Sequence, residues 1–588
     1  MNMTTSHTLF HKPLADEARR AQEKYRSDFG KSRSFLKKSR SFFAAARLCL
    51  YFAGALSMFS ACSDDWNDHY NALASDEGTL WQAIQGHDNL SNFASVVRGC
   101  GYDLILDGSQ TFTVFAPTNE ALPKAEADSL VASYQQQKAA GTRDNDNTVV
   151  RQFLQNHIAL YKHPVSSLTN DSITLMNSKY AVLTATKLAD RTLLTQNNLY
   201  DNGLLFTIDR KLDYFPNVFE YLGHDRDLDS VYHFFNRYSV YEFLDAKSVP
   251  GEIVDGLTIY LDSVFALTNQ LFSTYGLINS EDSTYWLVAP TNSEWNRLVA
   301  EYEPYFNYPN DVTKRDSMVY TQTRRAIMDG TCFSRTRNPE PAFQDSAVST
   351  MAISSQLRML LNQEENYYTY YKPFAEGGVF SGTEDVTCSN GHVRKASHFN
   401  VSKFNTFMQT IKVEAENIQS QDTIIDAIEP LIVREVTSDN PFYGKVSGNT
   451  FVEVAPEVAT AQVQVIFNVP NVLSNVSYDI YAVCVPATAY DTQAVEEASK
   501  PCIIRPTLYW TDQNGRSAHP NINKNLTTTP GVIDTLLLVS GHVFPTSSYG
   551  LAEPQVKVAL RSNVGTRQTA THSRTLRLDC IILKPHED

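Results

Sequence analysis

Apolar positions recur at helical spacing through much of the first 410 residues and at alternating spacing after that, so the change of period divides the chain. Leu80, Trp81, Ile84, Phe93, Val96 and Val97 fall on helical faces, with Ser75 and Asp76 offering caps ahead of them and Gly99 and Gly101 ending the run. Thr111 to Ala116 is a short apolar and β-branched run that predicts a buried strand. It leads into the corner Ala116-Pro117-Thr118-Asn119, where proline fixes φ and Thr or Asn can cap a following helix. Val149 to Leu160 again has helical periodicity, and Ile173 to Leu183 and Leu193 to Ile208 read as strands. Asn202-Gly203 reads as the turn of a hairpin.

The order repeats. The second half of Thr111 to Leu122, TFTVFAPTNEAL, returns at Trp286 to Trp295 as WLVAPTNSEW. After a predicted linker at Tyr221 to Asp229, Ser239 to Leu244 and Val264 to Tyr275 read as helical, and Tyr285 to Ala289 as a strand ending in Pro290-Thr291-Asn292. The offset between copies is 173 from Ala116 to Ala289 and 188 from Asn202 to Asn390, which places about 15 additional residues near Asn338 to Val348.

The Ala-Pro-Thr-Asn corner, FLQNHI some 40 residues on and NGLLFTID at the close resemble, in order and spacing, the fasciclin (FAS1) domain. The first copy, 75–222, carries all three motifs. The second, 229–411, keeps LVAPTNSEW and SNGHVRKA but has AIMDGTCF where the family has its Asn-His-Ile. The resemblance implies a β-sandwich wedge with helices packed on one side, used for adhesion and protein association, and no catalytic residues.

Beyond Val413, strand-forming runs alternate with Pro, Gly, Asn and Ser, as in Val463 to Val469, Tyr478 to Val485 and Thr575 to Leu583. About seven strands over 413–588 predict an antiparallel sandwich of jelly-roll type. The fold class expected for the chain is therefore α+β: two tandem fasciclin-like domains, then an all-β sandwich. The last part resembles carbohydrate-binding modules in architecture only.

Composition is that of a globular protein, with 42% hydrophobic and 20% charged residues. The formal net charge of -15 is unevenly spread: 11 Lys and Arg against 4 Asp and Glu precede Cys62, leaving 39 against 61 after it. Such an acidic body disfavours nucleic acid as a partner. The basic excess leads into Phe42 to Ala61, whose uninterrupted apolar part after Arg47 runs only to Ala61 and is short for a bilayer span, with Ser60 and Ala61 before Cys62. This resembles a bacterial lipoprotein signal, with Phe59 departing from the usual Leu. It implies cleavage after residue 61, acylation of Cys62 and a tether over 62–74. Ser63, Asp64 and Asp65 are similar to the export tag of surface-displayed outer-membrane lipoproteins.

Candidate chemistry is sparse. HExxH, GxSxG, a P-loop, an EF-hand loop and a dinucleotide-binding glycine motif are all missing from the sequence, so no enzyme activity and no cofactor or metal is expected. His157 reads as a structural histidine, and Thr118 and Thr291 as caps. The six cysteines after Cys62 form no CxxC pair; Cys484 with Cys502 is an open disulfide pairing, and Cys580 shares an alternate face with Leu576, Leu578 and Ile582. Tyr509 and Trp510, followed by Thr511, Asp512, Gln513 and Asn514, form a candidate sugar platform; Tyr367, Tyr368, Tyr370 and Tyr371 offer a strand with one core face and one docking face. The leading functional expectation is a lipid-anchored outer-membrane surface protein, resembling accessory subunits of SusC/SusD-like importers. The alternatives are glycan binding through the sandwich or cell adhesion.

Overall fold

The computed structural model describes residues 78–586 apart from 246–247, 255–256, 263–264, 353–366, 418–420, 426, 428–431, 520–521 and 523. The signal, Cys62 and its acidic neighbours Ser63, Asp64 and Asp65, the tether, and Ser75 and Asp76 lie outside the described residues.

The first helix is capped locally. Thr79 accepts from the Gln82 N–H while the Gln82 side chain accepts from the Thr79 N–H, a capping box that starts α1 (Leu80–Gly86). Helices α2 (Ser91–Gly99) and α3 (Asp103–Leu106) follow, and then β1 (Phe112–Pro117), which is buried along its whole length. A strand with no exposed residue must be covered on both faces. Phe112, Val114 and Ala116 pack into the helical cluster with Phe93 and Leu154, whereas Phe115 joins Phe206 and Ile208 on the other side.

After the exposed helix α4 (Lys124–Ala139), the chain enters β2 (Ile158–Leu160), β3 (Asn170–Thr174), β4 (Tyr180–Thr184), β5 (Lys187–Leu188), β6 (Arg191–Tyr200) and β7 (Gly203–Ile208). They form one sheet in the order β2-β1-β7-β6-β5-β4-β3, with β1 and β7 parallel. Val149 to Leu160 is not one helix: a π-helical turn at Val150–Leu154 and a 3₁₀ turn at Gln155–His157 end it, and the last three residues are β2.

The second unit opens where a linker was expected. Helix α5 (Val218–His224) is started by Asn217 and Glu220 in the same capping box as Thr79 and Gln82, and α6 (Asp229–Asn236) follows. Ser239 to Leu244 and the start of Val264 to Tyr275 are strands. β8 (Ser239–Phe243), β9 (Val249–Val254), β10 (Leu257–Asp262) and β11 (Phe265–Asn269) make two antiparallel pairs, β8 with β11 and β9 with β10. This β-arm stands between α6 and α7 (Phe272–Tyr275), where the first unit has only the turn 100–102. The order then resumes with β12 (Tyr285–Pro290), α8 (Asn292–Tyr302), α9 (Arg315–Met328), β13 (Cys332–Ser334), the pair β14 (Ser346–Ala352) and β15 (Tyr367–Tyr371), and β16 (Glu384–Cys388) with β17 (Gly391–Ala396). As in the first unit, the strand before the corner is parallel to the closing strand, here β12 with β17. In β15, Tyr368 and Tyr370 point into the core and Tyr371 out to solvent.

The remaining strands make two sheets. One contains β18 (Ile411–Glu414), β20 (Ile432–Glu435), β21 (Thr450–Val454), β23 (Ser477–Cys484), β27 (Asp534–Val543) and β29 (Leu576–Pro585). The other contains β19 (Gln421–Ile425), β22 (Gln464–Val469), β24 (Ile503–Thr511), β25 (Ser517–Ala518), β26 (Leu526–Thr527) and β28 (Val556–Ser562). Alternate residues of both, among them Val465, Phe467, Val558 and Ile480, fill the space between them. Helices on one face of the early sheets and this all-β end together make the chain α+β.

Cys580 does not share the face of Leu578. Val483 pairs with Cys580 but Cys484 with Leu578, so Asp579 is an extra residue, and this bulge turns Cys580 out of the apolar cluster that holds Leu576, Leu578 and Ile581. All six described cysteines, Cys484 and Cys502 included, are buried free thiols.

Candidate functional site

The corner residues serve the fold. Asn119 accepts from the Asn92 N–H (3.0 Å) and donates to the Asp88 carbonyl (3.1 Å), and Asn292 repeats this with the Ser230 N–H (2.8 Å) and the Arg226 carbonyl (2.7 Å). Each asparagine therefore pins the start of the preceding helix, α2 or α6. Thr291 precedes α8 without a side-chain capping bond, and the Thr118 hydroxyl accepts only a long one from Ala121 (3.4 Å).

Asn202 and Asn390 are a second matched pair. Asn202 accepts from the Leu80 N–H (2.8 Å) and donates to the carbonyls of Leu106 (2.8 Å) and Gly108 (2.7 Å). Asn390 accepts from the Val218 N–H (2.8 Å) and donates to Ile278 (2.9 Å) and Ser280 (2.8 Å). The turn geometry expected of Asn-Gly is present, since Tyr200 pairs with Gly203, but the asparagine also ties the first helix of its unit to the loop before the central strand.

His157 is fully buried. Its Nδ1 lies 2.7 Å from the Phe153 carbonyl and its Nε2 accepts from the Leu212 N–H at 2.8 Å, which defines a neutral imidazole with its proton on Nδ1. Burial pushes its pKa down to about 4. The register of β13 on β12 puts Thr331 at the equivalent place, with its hydroxyl on the Met328 carbonyl (2.6 Å). The folded state thus resists protonation of His157, so its contribution is complete above about pH 6.5 and is lost as pH falls toward 4, up to about 3 kcal/mol. We expect urea unfolding at a series of pH values to show this slope in the wild type and not in His157→Gln; equal slopes would contradict the assignment.

A buried charge cluster joins the first two units. Lys179, in the turn before β4, places Nζ 2.9 Å from Glu220, 2.6 Å from Glu281 and 3.0 Å from the Ser389 hydroxyl, and Arg151 pairs with Glu220 as well. Side-chain exposure of Lys179, Glu220 and Glu281 is 8%, 12% and 9%. Burial alone would raise the Glu220 pKa; Arg151, Lys179 and the Asn217 N–H outweigh it and hold the carboxyl below its ordinary value.

The β-arm also reaches the first unit, because the Arg143 guanidinium lies over Tyr241 (4.9 Å) and Phe265 (5.3 Å). Val240 is 59% exposed, Ile253 74% and Ile259 52%.

Of the proposed sugar platform, the structure separates the two rings. Trp510 turns inward against His542 (4.9 Å) and Phe544 (6.1 Å), while Tyr509 faces out beside His519. Gln513 is used at the joint with the second unit, donating to the Tyr308 carbonyl (2.9 Å) and accepting from Asn307 (2.8 Å). The outward side of this sheet forms three rows across β22, β28 and β24: Gln464-Arg561-Arg505, Ile466-Ala559-Thr507 and Asn468-Lys557-Tyr509.

The sequence gives no hint of one further group. Glu414, Asp579 and Cys580 bring ligand atoms within 4.8 Å of one another, and burial pushes Asp579 up to about 7. These are the atoms among the described residues that could hold a cation, with carboxylate oxygens suited to a hard one. Their charge is already met by Lys412 (2.9 Å from Glu414), the Ser447 hydroxyl (2.7 Å from Glu414) and the Ser447 N–H (3.1 Å from Asp579).

A fasciclin domain model matches residues 88–213, which identifies a fasciclin domain within the first unit. The FAS1 domain pair of the insect cell adhesion molecule Fasciclin I is similar at 13% identity, over 54% of this chain and 98% of that one, with a TM-score of 0.18. The CBM22-1 xylan-binding domain of Paenibacillus barcinonensis Xyn10C is similar at 14% identity, over 31% of this chain and 95% of that one, with a TM-score of 0.20. The C-terminal family 22 carbohydrate-binding module of Clostridium thermocellum Xyn10B is similar at 16% identity, over 30% and 92%, with a TM-score of 0.18. No curated protein matches the sequence.

Proposed function

We propose that this chain is a non-catalytic protein of the bacterial outer surface, held by a lipid on Cys62, that works by associating with other surface proteins. The second unit is taken as a divergent fasciclin copy, on the strength of its matched Asn292 and Asn390 pins and parallel β12–β17 pair. The observation that carries the reading is the β-arm, whose Val240, Ile253 and Ile259 stand in solvent on an element that the first unit lacks. Apolar side chains left exposed on an added element offer a surface for a protein partner. The polar residues best placed for chemistry, His157 and the corner asparagines Asn119 and Asn292, are explained by hydrogen bonds within the fold.

A photo-crosslinker at position 240 or 253 should capture one surface protein in intact cells, and the same group at exposed Arg567 should not; equal capture at all three positions would sink the idea. An accessory role beside a SusC/SusD-like importer is the finer form of this proposal, and the captured protein decides it. The anchor is tested separately: palmitate labelling of the protein should vanish in Cys62→Ala, and retained labelling would remove Cys62 as the lipid site.

A second reading, glycan binding by the sandwich, is favoured by Tyr509, which stands on an open sheet face between hydrogen-bonding side chains. Loss of polysaccharide binding in Tyr509→Ala is its expected signature.

A further inference from the structure

We propose that the outward face of β22, β28 and β24 binds an acidic polysaccharide through a carboxylate held between Arg505 and Arg561. This rests on the glycan-binding reading and adds the charge class of the ligand. Arg505 and Arg561 are directly opposed on neighbouring strands, and both are exposed. Neither makes an ion pair or side-chain hydrogen bond among the described residues. Lys557, four residues back along β28 on the same face, is by contrast neutralised by Asp422 at 2.8 Å.

Like charges directly opposite one another on a sheet repel. Here they do so on a chain whose formal net charge is -15, where acidic partners for arginine are plentiful. An anion seated between the two guanidinium groups relieves that repulsion and can take paired N–H donors from each. A carboxylate on a sugar suits the rest of the face. Gln464, beside Arg561 in the same row, and Asn468 and Thr507 in the next two offer amide and hydroxyl groups, and Tyr509 offers a ring edge or face roughly 13 Å along the strand from Arg505. An acidic peptide would need apolar pockets or a free strand edge for comparable affinity. The centre of the face is instead occupied by Ile466, Ala559 and Thr507, side by side in register.

The test is affinity electrophoresis and calorimetry of the full chain with polygalacturonate, carboxyl-reduced polygalacturonate and polyglutamate. Binding of polygalacturonate is expected, at least ten-fold weaker for Arg505→Gln/Arg561→Gln, weakened by salt, and poor for the reduced polymer. Equal binding of the reduced polymer that is lost in Tyr509→Ala would overturn the acidic class and leave the glycan reading standing. Binding of polyglutamate as tight as polygalacturonate would overturn the sugar assignment. If neither polysaccharide binds, both this inference and the reading beneath it fail.

Discussion

Asn390→Ala is expected to lower the unfolding free energy by about 2 to 4 kcal/mol, because the buried Val218 N–H loses its partner and the Ile278 and part-buried Ser280 carbonyls each lose one as well. Asn202→Ala in the first unit should cost a similar amount for the same three kinds of group. The adjacent glycine is equally constrained. A Cβ on Gly391 would sit 1.8 Å from the Tyr285 carbonyl oxygen, at a φ of +141°, and one on Gly203 would sit 2.1 Å from that of Phe112. Gly391→Ala should therefore separate β12 from β17 and leave no cooperative transition for the second unit. Urea unfolding followed by circular dichroism measures both effects. A loss below about 1 kcal/mol in both asparagine variants would show that these pins are incidental.

Lys179→Met is expected to cost about 3 to 5 kcal/mol, since it leaves Glu220 and Glu281 facing each other without their shared cation. The effect should depend on pH with a defined sign. Glu220 is held below its ordinary value in the wild type, so its contribution is present above about pH 4.5 and fades as pH falls through the folded value. In Lys179→Met the Glu220 carboxyl should titrate higher, and the variant should recover part of its deficit on mild acidification. Unfolding measured at pH 7 and pH 5 checks this. A deficit that is the same at both values would point to lost packing and not to charge.

These two predictions concern features that the sequence displays but does not explain. Asn202-Gly203 is visible as a turn, yet the carbonyls it satisfies lie about 95 positions away, and local pattern cannot reveal such partners. The strand before each corner was legible because both of its faces are covered, which leaves an unbroken apolar run. The β-arm was missed because Val240, Phe243 and Leu244 mimic helical spacing, while the cross-strand partners Phe265 and Leu267 that make them strands come more than twenty residues later. The stretch expected to link the units is a capped helix, because Asn217 and Glu220 start it and buried Val218, Phe219 and Leu222 hold it. In the sandwich the strands were readable from alternation, but one bulge at Asp579 moved Cys580 to the opposite face and created an acidic cluster from residues far apart in the chain. Tyr509 and Trp510 were found together and point apart, as neighbours on a strand must.

The measurement that bears most directly on association as the function is the mass of the native full-length protein extracted in mild detergent from its own membranes. A stoichiometric complex larger than one chain is expected, falling to the mass of the single chain in Val240→Glu/Ile253→Glu. Recovery of the wild type only as a free monomer would contradict it.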